Sequence, residues 1–570
     1  MSAIAWLSRG ISAVGILLLI ALLPWLSGRD PALALLRARS GEQEASVETL
    51  AAIRTAWGLD QGPFALLLQW ARGMLRGDAG VSWVSGKPVM AGMLHAGSVS
   101  LTLMFWSLLV AVAVILLLSL PALWRGVAGR QPVSGSAVAV LLTTLPEFLL
   151  ATVLLLLFAV WQPWFSPYGW QSPRDVVLPA LALGLPAGGY LGRLYAEAIG
   201  TAFSERWVIT WRMAGVRRWA IIRAVWQRGL ISLLPVLGQV IVALVGGAIA
   251  VEKVFAIPGI GRATLGAAIA QDLPALQCGI LLLLLFAMSV SCVCRLMQSV
   301  LAGRAMRSFS FSTPESTQQA NPSYLLAGIS LFLLVALLMA GLPRDPWMTA
   351  FTRLAAPDWG LPFGADAMGR DLLARVAHGT LHTCLLALGV ALICLVTGMF
   401  AGIYPGVFSG PMELANALPT TLAGMMVVAL LGPGESGAVL AVVLIAWAPL
   451  AAHSTALAAE IRARPWLRLL PLSGIGPIRR DYFYILPALA GPLFRHAMLR
   501  VPGIALTLTS LGFLGLGAAP PSPEWGRILA EGMPYVERAW WGVLTPVIAM
   551  TLLALLAVSG ASLTFRRSSK

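Results

Sequence analysis

Apolar stretches of about twenty residues, the length a helix needs to cross a bilayer, recur along nearly the whole chain. Short polar or Gly/Pro-rich segments separate them. The runs are continuous rather than alternating, so they call for helices and exclude a barrel, whose strands face lipid at every second residue. Composition points the same way. Charged residues make up 11% of the 570 residues and hydrophobic residues 58%, whereas a soluble domain carries about 25% charged residues. The fold class is therefore an all-α integral membrane protein.

Six candidate spans fall in each half. In the first half they lie near 8–27, 99–123, 136–160, 178–196, 229–251 and 277–299. In the second they lie near 323–342, 381–403, 415–432, 437–458, 486–508 and 543–564. This predicts about 12 transmembrane helices as two six-helix repeats. The segment 301–322 is rich in Ser, Thr, Pro and Gln and has no apolar periodicity, so it reads as a linker. The expected domains are 1–300, the linker 301–322, and 323–570. The first would include a small extramembrane subdomain at 28–97, where 45–57 has amphipathic spacing.

Basic residues set the orientation. The stretch from Arg193 to Arg228 holds Arg206, Arg212, Arg217, Arg218 and Arg223 against only Glu197 and Glu205. That from Arg462 to Arg480 holds Arg464, Arg468 and Arg479 with no acid. Both loops are short, so both should face the cytoplasm. Even span counts then put both termini inside and 28–97 outside. The net charge of +15 follows from this bias. No basic helix is interleaved with exposed aromatics, so the charge does not point to nucleic acid.

The chain offers no enzyme site. A phosphate-cradling Gly-x4-Gly-Lys-Ser/Thr loop fails at its nearest candidate, Gly86-Lys87, because Val81 and Pro88 stand at the other required positions. The cysteines Cys278, Cys292, Cys294, Cys384 and Cys394 lie in or beside apolar runs without zinc spacing. His378 and His382 have helical i,i+4 spacing, but no further acid or cysteine is placed to complete a metal site, and packing histidines are the simpler reading. The spans are poor in carboxylates, which a proton- or sodium-coupled carrier would need. The clearest is Glu147.

Two segments carry the most specific information. One runs Gly246-Gly247, then Glu252, Phe255, Pro258, Gly259, Gly261 and Arg262. The other runs Ser510 to Gly517, with Phe513, Gly515 and Gly517, followed by Pro520-Pro521, Pro523, Glu524, Trp525 and Gly526. They resemble signatures of the two different membrane subunits of peptide/nickel-type ABC importers, here on one chain. Further pieces occur in order: Gly28-Arg29-Asp30-Pro31, Gly58-Leu59-Asp60-Gln61 and Leu75-Arg76-Gly77-Asp78 in the first half. In the second half, Asp366, Gly369, Arg370 and Asp371 match the family's Gly-Thr-Asp-x-Leu-Gly-Arg-Asp, with Ala365 and Met368 as replacements. The acid that the family carries before Phe513 is absent, and an uncharged stretch around Leu508 stands there.

The resemblance implies a type I ABC importer fold and a fused pair of permease halves in a bacterial inner membrane. It implies two ATP-binding cassette subunits that carry ATP-Mg, a periplasmic solute-binding protein, and no cofactor on this chain. It assigns ATPase coupling to two loops. In the first, Arg212, Gly215 and Arg217 precede Leu234-Pro235. In the second, Arg468 and Gly474 precede Leu486-Pro487. In each, the Leu-Pro is expected where the next span begins, since Pro can open a helix without wasting an amide. The Gly-to-Pro interval of the first loop is about two residues longer than usual. The rival class is a secondary transporter with two six-helix repeats. The family's solutes include di- and oligopeptides, nickel, glutathione, metallophores and opines, and the sequence does not choose among them.

Overall fold

In the computed structural model the described residues are 46–56, 63–129, 146–270, 272–302 and 324–567, with a few scattered positions besides. Most of the expected linker and most of the first span lie outside them. The described helices, in chain order, begin with α1 (Val47–Ala56) and α2 (Pro63–Leu75). The first is the amphipathic segment read from the sequence, and the Ser46 hydroxyl accepts the Thr49 amide at its start, 3.2 Å away. Then come α3 (Val89–Val127), α4 (Glu147–Leu155), which passes into a π-helical turn at Leu156–Trp161, and α5 (Val177–Ser204). The short α6 (Arg206–Met213) precedes α7 (Arg218–Val254), α8 (Ile260–Ile269) and α9 (Leu273–Ala302). The second repeat holds α10 (Tyr324–Gly341), α11 (Leu372–Ile403), α12 (Pro405–Ala417), α13 (Thr420–Leu431) and α14 (Glu435–Ala463). It ends with α15 (Pro465–Leu469), α16 (Pro477–Arg480), α17 (Leu486–Leu514), α18 (Trp525–Gly532) and α19 (Trp541–Arg567).

Among the described residues seven helices are long and apolar enough to cross a bilayer, or eight if one bent pair counts as a span. They match the spans expected near 99–123, 178–196, 229–251, 277–299, 381–403, 437–458 and 486–508. The spans expected near 136–160, 323–342 and 543–564 appear as shorter apolar helices. The one expected at 415–432 is not a single helix. Pro419 follows Leu418, which adopts an extended conformation, and α12 and α13 meet there at 95°. A residue before proline is pushed out of the helical region, and proline lacks the donor that would carry the ladder across.

The chain forms two compact units. One comprises residues 1–96, 262–284 and 337–546, and the other 97–261, 285–336 and 547–570. They do not follow the sequence repeats one for one: 262–284 clusters with most of the second repeat, and 547–570 with most of the first.

Small residues set helix contact inside each unit. Gly184, Gly188 and Gly192 form one stripe of α5 against α3. A Cβ at Gly184 would lie 2.6 Å from the Ser107 carbonyl oxygen, and one at Gly188 2.9 Å from that of Ala111. In the other unit Gly398 of α11 lies so close to α14 that a Cβ would come within 2.8 Å of the Leu450 Cβ. Helices in lipid gain nothing from mutual apolarity, so close backbone approach of this kind is what holds them.

Candidate functional site: two buried-carboxylate turns and two basic loops

The first motif folds as a turn around Glu252, a wholly buried residue near the end of α7. Its carboxylate accepts the Ser100 hydroxyl, and the same oxygen of Ser100 accepts the Ile260 amide at 2.9 Å. The Glu252 carbonyl accepts Ile257 N at 2.8 Å, closing the turn. Gly259 and Gly261 press so closely on the carboxylate that a Cβ at Gly259 would overlap it. Phe255 is buried, and its carbonyl accepts Gly169 N at 3.0 Å, while Pro258 is exposed. The spacing Glu-x6-Gly-x-Gly thus has a physical meaning: the glycines make room for an acid that anchors the turn.

The second motif reaches the same arrangement with the roles exchanged. The carboxylate comes from the loop, as Glu524, and the glycines Gly512 and Gly517 flank it. A Cβ at Gly512 would overlap Glu524 Oε1. Ala518 N donates to the same carboxylate at 3.3 Å. The acid missing near Leu508 is therefore supplied twelve residues beyond Gly512, from the other side of the turn. Gly515 caps α17 in the left-handed region. Phe513 and Trp525 are buried, and the indole of Trp525 donates to the Val376 carbonyl of α11 at 3.1 Å. A Cβ at Gly526 would overlap the Thr509 carbonyl oxygen of α17.

Burial pushes the Glu524 carboxyl up to about 7, helped by nearby Glu435 and opposed by the Ala518 amide and Arg527. The turn is therefore most stable below the ordinary value of 4.5 and loses stability as pH rises through about 7. The loss is about 3 kcal/mol at most, from the size of the shift. Glu524→Gln should remove this dependence. Melting of the purified protein at pH 5 and pH 8 checks it: the wild type should lose more than the variant, and equal losses would refute the assignment.

The Asp366–Asp371 segment joins this second turn. Asp366 accepts Met368 N and Arg370 N at 2.8 and 2.9 Å, Arg370 Nε at 2.7 Å and Arg375 Nη1 at 2.6 Å. Glu531 of α18 binds the same two guanidinium groups at 3.0 and 2.9 Å. Arg375 is wholly buried and also donates to the Ser522 carbonyl at 3.2 Å. Burial works to raise the Asp366 pKa, but these amides and guanidinium groups outweigh it and hold the carboxyl below its usual value. Asp371 caps α11 through Leu373 N at 2.8 Å and pairs with Arg344 at 2.9 Å. At Gly369 a Cβ would overlap the Phe351 carbonyl oxygen. Sequence reasoning named Asp366, Gly369, Arg370 and Asp371, and Glu524 as part of its motif without a role, but missed Arg344, Arg375 and Glu531.

The two basic loops share one turn. Gly215 N donates to Arg212 O at 3.1 Å and Val216 N to Trp211 O at 3.0 Å. Gly474 N donates to Pro471 O at 3.1 Å and Ile475 N to Leu470 O at 3.2 Å. Both glycines are left-handed, with φ of 72° and 76°, as this helix-ending pair of bonds demands. Arg212 donates to the Gly126 carbonyl and lies over the Phe203 ring, 5.8 Å from its centroid. Beside it, Gly215, Val216 and Arg218 line a cavity of about 410 Å³. In the second loop Arg462 ties the Ile403 carbonyl at 2.9 Å to Asp481 at 3.4 Å. Arg468 lies in α15. Leu472 and Ile478 are strongly exposed.

The Leu-Pro expectation needs correction. Helix α7 starts at Arg218 and runs unbroken past Leu234 and Pro235, although its strongly apolar part begins at Val236. Leu486 and Pro487 open the α-helical part of α17, but a π-helical turn at Asp481–Ile485 already leads into it. In both loops helical backbone is already under way before the Leu-Pro pair.

His378 and His382 do not converge on one point. The His378 ring contacts the Ala374 carbonyl at 2.9 Å, and His382 lies 3.4 Å from Glu435. Among the described residues no three His, Cys, Asp or Glu side chains are grouped as a metal ion would require.

These features define a multi-pass helical membrane protein with repeated architecture and paired basic loops. The family profile described as binding-protein-dependent transport system inner membrane component matches twice, at residues 134–307 and 385–569. The chain belongs to that family and carries its domain in duplicate. It is 36% identical over 205 residues to the di/tripeptide transport system permease protein DppC of Pseudomonas aeruginosa, covering 34% of this chain and 67% of that protein. It is 30% identical over 286 residues to a putative peptide transport system permease protein of Brucella suis, covering 48% and 88%. It is 30% identical over 245 residues to the glutathione transport system permease protein GsiC of Salmonella paratyphi A, covering 42% and 78%. In each case less than half of this chain accounts for most of the relative, as two fused permeases require. The protein is an ABC-transporter permease and not an enzyme.

Proposed function

We propose that this chain alone supplies the whole transmembrane pathway of an importer for short peptides or related solutes. The observation that carries the reading is the duplicated family domain together with relatives named for di- and tripeptides, peptides and glutathione. Residues 1–300 and 323–570 would be the two permease halves, with 301–322 as a tether. Two ATPase subunits, which bind ATP-Mg, would dock on the loops around Gly215 and Gly474, and both chain termini would share that cytoplasmic side. A solute-binding protein would deliver its cargo to the outer side of the membrane. Hydrolysis would shift the population between inward- and outward-open states.

The expected complex contains one copy of this chain and two ATPase subunits, and in vesicles it takes up a dipeptide only with ATP and the binding protein. Native mass measurement and an uptake assay test this. Two copies of the chain per complex would refute the single-chain pathway, and uptake driven by an ion gradient without ATP would restore the secondary-transporter reading.

A further inference from the structure

Arg500 occupies the middle of α17, fourteen residues from each end of the helix. At 1.5 Å per residue it is roughly 21 Å from the end at Leu514, well inside the candidate span Pro477–Leu514. Its Nη1 is buried and has no hydrogen-bond partner, and no described carboxylate pairs with it. A cation at this depth is costly and is ordinarily kept for a task.

Arg500 lines a cavity of about 490 Å³, together with Asn416, Thr420, Ile445, Pro449 and Thr507. That volume is in the range of small-molecule sites, roughly 300–1,000 Å³. Three features of the wall favour an anion with a polar remainder. The first is the guanidinium. The second is the break at Leu418–Pro419, which brings the N-terminus of the 12-residue α13 to the cavity at Thr420. The first amides of a helix lack internal partners and carry partial positive charge. Non-helical backbone at membrane depth is tolerated only where it is covered by protein or lines a polar cavity. The third is Pro449, in the interior of α14. It cannot donate to the carbonyl of Ile445, so one acceptor on the wall is left without its helical donor.

We propose that this cavity is a mid-membrane subsite for the carboxylate of the transported solute. Arg500 and the first amides of α13 bind the carboxylate, and the Ile445 carbonyl takes an N–H from the same solute. The subsite rests on the transport reading above and narrows it to carboxylate-bearing cargo.

Labelling of the full complex tests it without knowledge of the cargo. In an Asn416→Cys variant, modification at residue 416 is followed by peptide mass spectrometry with an anionic sulfonatoethyl and a cationic trimethylammonioethyl methanethiosulfonate. The anionic reagent should react roughly tenfold faster, the scale of one charge-assisted contact. Arg500→Gln should abolish the preference and Arg500→Lys should keep most of it. Equal rates in the parent, no labelling by either reagent, or a preference that survives Arg500→Gln would overturn the subsite. Uptake of dialanine forms the second arm. Arg500→Gln should lower it about tenfold or more with ATPase subunits still bound, and undiminished uptake would also overturn the subsite. If the unmodified complex takes up no dipeptide, the peptide reading fails, and the labelling result alone decides whether a carboxylate subsite exists.

Discussion

Arg375→Leu is expected to destabilise the protein by about 3–5 kcal/mol, the usual cost of removing one member of a buried ion cluster. The side chain is wholly buried and holds three groups at once: Asp366, Glu531 and the Ser522 carbonyl. It thereby links the start of α11, the proline-rich turn and α18. Leucine would leave the buried Asp366 and the half-buried Glu531 to share Arg370, with Arg527 still paired to Glu531. Adding Glu531→Gln to Arg375→Leu removes one of those charges and should recover part of the loss. Lysine at 375 should recover less than the wild type, because a point charge cannot serve three acceptors as a planar fork does. Thermal melting in detergent reads all three variants. A melting point for Arg375→Leu equal to that of the wild type would show that the cluster contributes nothing. The sign with pH is also fixed. The Asp366 carboxyl is held below its usual value, so its contribution is present above pH 3.8 and disappears as pH falls through the lowered value.

Much of this architecture is legible in the sequence because a bilayer imposes one simple rule on length and apolarity. The long spans are located for that reason, although the helices expected from 99, 229 and 381 start earlier, at Val89, Arg218 and Leu372. The break at Pro419 is missed because the run 415–432 carries no charge and is apolar enough on average to pass as one span, and hydropathy does not register a bend. The turn motifs are located by their glycines, but their mechanism is not. In the first turn the acid and its glycines lie within ten residues. In the second the acid has moved to Glu524, beyond three prolines, so the empty position near Leu508 looks like a loss when it is an exchange of sides. Arg375 and Glu531 are 156 residues apart, and nothing local in either segment announces the other. Arg500 is overlooked because a search for ion-coupled transport looks for intramembrane acids, whereas this cavity presents a cation.

The largest functional effect is expected at the two helix-ending glycines. Gly474→Val and Gly215→Val should each abolish ATP-driven uptake and co-purification with the ATPase subunits while leaving a folded membrane protein. No atom lies within 4 Å of where a Cβ would stand at either position. The penalty is therefore one of backbone conformation, about 1–2 kcal/mol for a residue forced to positive φ, and the chain escapes it by reshaping the turn. Reshaping redirects the exposed Leu472 and Ile478 on either side of Gly474, which a docked subunit would have to seat. Asparagine tolerates the left-handed region, so Gly474→Asn and Gly215→Asn should retain most of the uptake. The longer interval from Gly215 to Pro235 would, taken alone, favour a milder effect at Gly215. The structure removes that distinction. The hydrogen bonds of the two turns follow the same pattern, and the longer interval falls inside the continuous helix α7, after the turn has closed. Equal losses for the two valine variants, rescued by asparagine at both, are the expected result. Wild-type uptake and co-purification in both valine variants would show that the subunits dock elsewhere.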